Sequence, residues 1–377
     1  MAVRRLVTAA VALLVLTACQ EGSSSSPNTD SSGPPTSAPD ATATGSATPT
    51  PSRDTVGSPA RPVAAPVEDA LLDWKNVPGS TDDLVTVGDG WTLTVPAGGG
   101  SARLRGPKPM TIRAADHSSI SDAFLDDTRA LVIDEDRFAA EPDHAVLVDL
   151  DSGRTTTLDG RSDPPTVVGG TWALGAHTLV HATSGPRHRY CLATVDLSRG
   201  SGTTGWCAEP RHGFSRASVT DDGITLMTFD DHHPSCRTLN IVEGSQLTPL
   251  PGVTHCKGWD SALLGGTAVW SVVPNQRRIE AAHFYARTER GWWDLGPGTS
   301  GSLVVCGGSA FFTRDQGSRA DAAQLLRWSP DETALTVAYA STGTGNAFLA
   351  PPRCGGTHLT VTAYSQAGDQ QVTTNLG

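Results

Sequence analysis

From residue 68 onward the sequence lacks any sustained helical periodicity. No segment there keeps apolar side chains on one helical face, which excludes a helix bundle and an α/β sheet with crossover helices. It also lacks a long apolar run: the stretch from Leu6 to Ala18 is too short for a comfortable membrane span. A basic run is missing as well. The formal net charge is −11, and the few charges of residues 1–66 cancel, so the excess acid lies further along. Such a chain is a poor binder of nucleic acid or anionic lipid, and no nucleic-acid partner is expected. No C-x-x-C spacing points to structural zinc or thioredoxin-like chemistry. There is no G-x-S-x-G elbow, no H-E-x-x-H and no phosphate loop. No cofactor and no metal is therefore expected. Large apolar residues are scarce between residues 20 and 66, where Ser, Pro, Thr, Ala and Gly dominate. That segment cannot bury enough surface to offset its ordering entropy, so a disordered linker is expected over 19–66.

What is present begins at the N terminus. Arg4 and Arg5 precede the short apolar run, and Leu16-Thr17-Ala18-Cys19 closes it. A basic start, an apolar core and small residues before a cut site form a secretory signal peptide, expected over 1–18. The four closing residues resemble the lipobox of bacterial lipoproteins. The resemblance implies that Cys19 is acylated and becomes the mature N terminus, giving a lipid-anchored protein on the extracytoplasmic side of the cell membrane. More than one acyl chain is needed for stable anchoring. The linker would then act as a spacer, with ends roughly 35–40 Å apart as a coil and about 150 Å apart when fully stretched.

Residues 67–377 read as many short strands separated by Gly, Pro, Asp and Ser. One unit recurs, a turn followed by four or five β-formers. It starts at Gly90, Arg129, His177, Gly223, Thr267, Ser309 and Thr357, with spacings of 39, 48, 46, 44, 42 and 48. A period of about 40–50 residues with four strands per unit marks a β-propeller. The expected fold is thus all-β, a single seven-bladed propeller, with six blades and an N-terminal extension as the alternative. In shape it resembles TolB-like bacterial propellers. The WD40 and kelch signatures are absent. The stretch from Leu72 to Gly79 resembles that from Trp292 to Gly298, so residues 68–78 are expected to supply the outer strand of the last blade.

Seven cysteines are an odd number. Acylation of Cys19 would leave Cys191, Cys207, Cys236, Cys256, Cys306 and Cys354, an even set that reads as disulfides in an exported domain. Six cysteines allow fifteen pairings. Placement on the repeat favours Cys191 with Cys207 across a hairpin, Cys306 with Cys354 between equivalent positions of neighbouring units, and Cys236 with Cys256.

The loops between second and third strands are the most polar parts of the repeat. They carry Asp134, Asp136, His188, Asp230, Asp231, His232, His233, Arg277, Arg278 and Asp315, expected to form a binding rim on one face. Asp230 to His233 could offer nitrogen and oxygen to a metal, but no element fixes their spacing. The functional expectation is a binding or scaffolding module at the cell envelope, meeting a protein, glycan or small ligand. The alternative is an envelope hydrolase or lyase working through rim or channel carboxylates and histidines. Carboxylates converging in an axial pocket would favour the alternative.

Overall fold

In the computed structural model, residues 61–315, 321–332, 334–342 and 346–377 are described. They lie within one unit, Gly57–Gly377. The signal peptide, Cys19 and most of the linker fall outside the described residues. Among the described residues, thirty-one strands and one short 3-10 turn account for the regular structure, so the fold is all-β.

Each repeat becomes an antiparallel meander running outward. The first blade holds β4 (Leu84–Gly88), β5 (Trp91–Val95), β6 (Ser101–Arg105) and β7 (Met110–Arg113). Next come β8 (Ser118–Leu125), β9 (Arg129–Asp136), β10 (His144–Asp149) and β11 (Thr155–Leu158). The second blade is β12 (Trp172–Leu174), β13 (Thr178–Ser184), β14 (Tyr190–Asp196) and β15 (Ser201–Cys207). The third is β16 (His212–Thr220), β17 (Gly223–Asp230), β18 (His233–Glu243) and β19 (Gln246–Pro249). The fourth is β20 (Gly258–Leu264), β21 (Thr267–Val272), β22 (Ala281–Thr288) and β23 (Gly291–Thr299), and the fifth is β24 (Val304–Cys306), β25 (Ser309–Arg314), β26 (Gln324–Trp328) and β27 (Leu335–Ala340). The chain ends with β28 (Phe348–Leu349), β29 (Arg353–Gly355), β30 (His358–Tyr364) and β31 (Gln370–Asn375).

The expected count of seven separate blades, or six, is corrected by the hydrogen bonding. Five separate blades of four or five strands stand beside one nine-stranded sheet. That sheet arises because β29 bridges β8 in parallel at Gly355 and Leu125, joining two meanders that the repeat alone would separate. Glycine at 355 is needed where β29 also passes the backbone of β4. A Cβ on Gly355 would overlap the Val87 carbonyl, and Leu125 already packs against Gly88.

The N-terminal segment forms a strap along three outer edges. β1 (Val63–Ala64) pairs in parallel with β23, β2 (Val67–Asp69) pairs in parallel with β27, and β3 (Lys75–Asn76) pairs antiparallel with β31. The outer strand of the last meander is therefore supplied by residues 75–76 rather than by all of 68–78. Strand pairing already begins at Val63, inside the stretch assigned to the linker. Trp74 fastens the strap: its indole N–H donates to the Ala338 carbonyl at 2.8 Å, and its ring meets Tyr339 edge-on. Added strands of this kind cover open sheet edges.

The core lies between neighbouring blades, where apolar side chains on alternate strand positions face each other. Phe284 and Phe312 stack with centroids 4.0 Å apart between the fourth and fifth blades. Trp270 and Trp328 are fully buried, in keeping with strand tryptophans as packing residues. Cys191 bonds Cys207 within the second blade, Cys236 bonds Cys256 between the third and fourth, and Cys306 bonds Cys354 between the inner strands β24 and β29.

Candidate binding face and axial cavity

The inner strands β8, β12, β16, β20, β24 and β29 surround a central channel. At one end lies a cavity of about 440 Å³. Its wall holds Asp122, Glu135, Arg216 and Asp260 together with Trp172 and several serines. Further along, Phe124, Leu174, Val219 and Val304 line the wall together with Arg353. The ionisable end opens on the face that carries the loops between second and third strands. Contacts such as Arg137 N–H to His117 O and Asp231 N–H to Arg211 O knit these loops to the incoming loops of the same face.

A backbone device aims the charges. β8, β16 and β20 each break register with the next strand at the same place, around Ser121, Arg216 and Trp259. A bulge adds a residue and turns a side chain out of strict alternation. Arg216 takes the left-handed conformation, with φ 51°.

Two ion pairs tie neighbouring inner strands. Arg216 Nη1 lies 3.3 Å from Asp260 Oδ1. The other Asp260 oxygen accepts from the Gly301 N–H at 2.8 Å and the Ser271 hydroxyl at 3.0 Å. Burial pushes the Asp260 carboxyl above the usual carboxylate range, and these three partners oppose the shift. In the second pair, Arg353 Nη2 lies 3.0 Å from Asp122 Oδ1. Arg353 also donates to Thr86 Oγ1 at 2.9 Å and to the Ala123 carbonyl, linking β29 to β4 and β8. Glu135 has no ion pair among the described residues.

None of the ten expected rim residues lines this cavity. Asp134 is buried, accepting from the Ala115 N–H at 3.2 Å and sitting 2.8 Å from His144 Nδ1; it holds two strands rather than facing a ligand. Asp136 accepts from the N–H groups of Phe138, Ala140 and Glu141, and the bond from Ala140 does most to lower its pKa. It shapes its loop. His188 ends the 3-10 turn Pro186–His188 and is exposed. Asp230 accepts from the His232 N–H at 2.8 Å, the first cause of its lowered pKa, and lies 3.2 Å from His233 Nδ1. Asp231, His232 and His233 are exposed. Arg277 is exposed and Arg278 pairs with Glu280 at 3.3 Å. Asp315 accepts from Thr299 and the Leu349 N–H. The rim residues are spread around the face and do not converge.

The cavity residues carried a signal that the loop charges obscured. Asp122, Arg216 and Asp260 each stand seven positions ahead of the first residue of their repeat unit. A shared register on successive inner strands places side chains around one axis.

Exposed large apolar side chains are distributed unevenly. Among the described residues they are Val63, Val67 and Leu71 on the strap, and Phe138, Val168, Ile279 and Phe348 elsewhere. The last four all belong to loops or strand ends on the cavity face.

No family model and no curated protein matches the chain. Solved structures do. The β-propeller domain of the Trilobed protease from Pyrococcus furiosus is similar, with TM-score 0.51 and 8% identity over 84% of this chain and 98% of that one. A prolyl endopeptidase is similar with TM-score 0.52 and 10% identity, covering 78% of this chain and 48% of the other. Prolyl oligopeptidase B from Galerina marginata gives TM-score 0.50 and 10% identity, covering 81% and 49%. The chain spans about half the length of these two peptidases. At such low identity the likeness concerns architecture alone, and with the meanders around a common channel it makes this chain an all-β propeller.

Proposed function

We propose that the protein is a binding module held at the extracytoplasmic side of the cell membrane by acylated Cys19, with the cavity face as its contact surface. The observation that carries this reading is the distribution of exposed apolar side chains. Phe138 is 75% exposed and Phe348 50% exposed, and with Val168 and Ile279 they lie in loops or strand ends on the face where the axial cavity opens. Four exposed apolar side chains on one face, in loops that also carry charge, suit a partner surface. The long spacer supports the same reading, since it would let the face reach beyond the membrane.

A hydrolase or lyase has one observation in its favour, because Asp122, Glu135 and Asp260 line a single cavity. Two of the three already hold guanidinium partners, and Asp260 has both oxygens engaged. No histidine lines that cavity among the described residues. This arrangement favours rigid binding over proton transfer.

The test is chemical cross-linking on intact cells, comparing the natural chain with a Phe138→Asp, Ile279→Asp variant. The natural chain is expected to give a discrete adduct that the variant loses. Adducts unchanged in the variant would refute the assignment of the face.

A further inference from the structure

Two guanidinium groups share one indole ring where the third blade meets the fourth. Arg216 Cζ lies 4.8 Å from the Trp259 ring centroid and Arg237 Cζ lies 4.5 Å from it. Trp259 is 8% exposed, so the ring is a fixed platform for both cations. Arg216 has Asp260 as counter-ion. Arg237 has no carboxylate partner among the described residues; its Nη1 donates to the neutral Gln276 amide at 2.8 Å. A parallel bridge sets Lys257 beside Arg237, and the Lys257 ammonium has no internal partner among the described residues. Arg277 follows Gln276 directly and is exposed. Arg216, Arg237 and Lys257, from three separate segments, thus meet at this junction beside the cavity wall that Arg216 lines, with Arg277 on the loop that Gln276 brings to Arg237, and a single carboxylate, Asp260, is paired to them. They do so in a chain whose net charge is −11. Like charges held together, with burial and Arg216 both lowering the Arg237 pKa, make an arrangement that an incoming anion relieves.

We propose that Arg216, Arg237, Lys257 and Arg277 form a binding site for an extended anionic ligand, a chain bearing carboxylate or phosphate groups. The guanidinium fork matches both groups bidentately. Spacing over several segments suits successive anionic groups of one chain better than a single ion. The acidic remainder of the molecule repels such a ligand, which directs it to this patch. The proposal deepens the binding reading and rests on it for the choice of face.

The test titrates the full chain in detergent against fluorescent polyphosphate and, separately, fluorescent poly-glutamate, with neutral dextran as control. Saturable, salt-sensitive binding to at least one polyanion is expected, and the arm that binds identifies the anionic group. Arg237→Gln with Lys257→Gln should weaken it about tenfold and reduce the salt dependence by about one to two counterions. Arg237→Lys should retain more affinity than Arg237→Gln. Arg277→Gln, on an exposed loop, should weaken binding without touching the fold, so a folding defect at Arg237 would not hide the outcome. Arg103→Gln with Arg105→Gln on β6 should change nothing. Absence of binding to both polyanions at low salt, or equal weakening by the β6 variant, would overturn the site. Cross-linking on cells tests the face independently, so the two readings fail separately.

Discussion

Arg216 and Asp260 meet at 3.3 Å across the junction of the third and fourth blades, one guanidinium half exposed and one carboxyl buried. Each sits at a bulge in an inner strand, so a local irregularity on two strands builds a contact between blades. The pair joins the two strands at the wall of the cavity.

Arg216→Gln should leave a buried carboxylate without its cation. Arg216 is partly solvated, so the cost at neutral pH should be about 1–2 kcal/mol, below that of a fully buried pair. Because burial raises the Asp260 pKa, its protonated form favours the folded state at acid pH. That contribution is lost as pH rises through the raised value. The variant should therefore approach the natural chain in stability near pH 4 and fall behind it at pH 7, as read by urea unfolding at both values.

His181 is fully buried, its Nδ1 lies 2.8 Å from the Ala182 carbonyl, and its ring stacks on Trp172. Burial lowers its pKa below the usual 6.5. The folded state therefore holds the neutral ring, and its contribution is present above 6.5 and lost as pH falls through the lowered value. Thermal melting from pH 7 to pH 5 should show this loss, and His181→Phe should reduce the slope.

The disulfides should rank by the loop each one closes. Cys306–Cys354 spans 48 residues and Cys191–Cys207 spans 16. Serine replacement of each pair should cost about 4 and about 3 kcal/mol respectively, by the loop-entropy relation. Losing the first should also loosen β24 against β29. Denaturant unfolding with hydrogen exchange on those strands measures both effects.

Trp74 carries the strap through one hydrogen bond and one ring contact. Trp74→Ala should cost about 1–3 kcal/mol, since the ring is only half-buried. Faster amide exchange should be confined to the edges β27 and β31. Uniform acceleration across all blades would mean that the strap is part of the global unfolding unit.

The propeller was legible in the sequence because each unit repeats a turn and a strand of β-formers, visible at Arg129-Ala130-Leu131-Val132-Ile133 and its counterparts. The bridge between Gly355 and Leu125 was not, because it depends on how closely two distant strands approach. The strap is legible only in part. Its parallel pairings at Val63–Ala64 and Val67–Asp69 involve two or three exposed residues each, too short for a period to form. Charges adjacent in sequence, such as Asp230 to His233, stand out along the chain and mark the rim. The charges that line the cavity are single residues on separate strands. The basic patch is assembled from Arg216, Arg237, Lys257 and Arg277, which no sequence window brings together.

The most direct measurement places a photo-reactive side chain on intact cells at Phe138 or Ile279, on the cavity face, and at Ser245 or Arg290, in turns on the opposite face. A specific adduct from positions 138 and 279, with none from 245 and 290, is the expected result. Equal adducts from both faces, or adducts from 245 and 290 alone, would contradict the account.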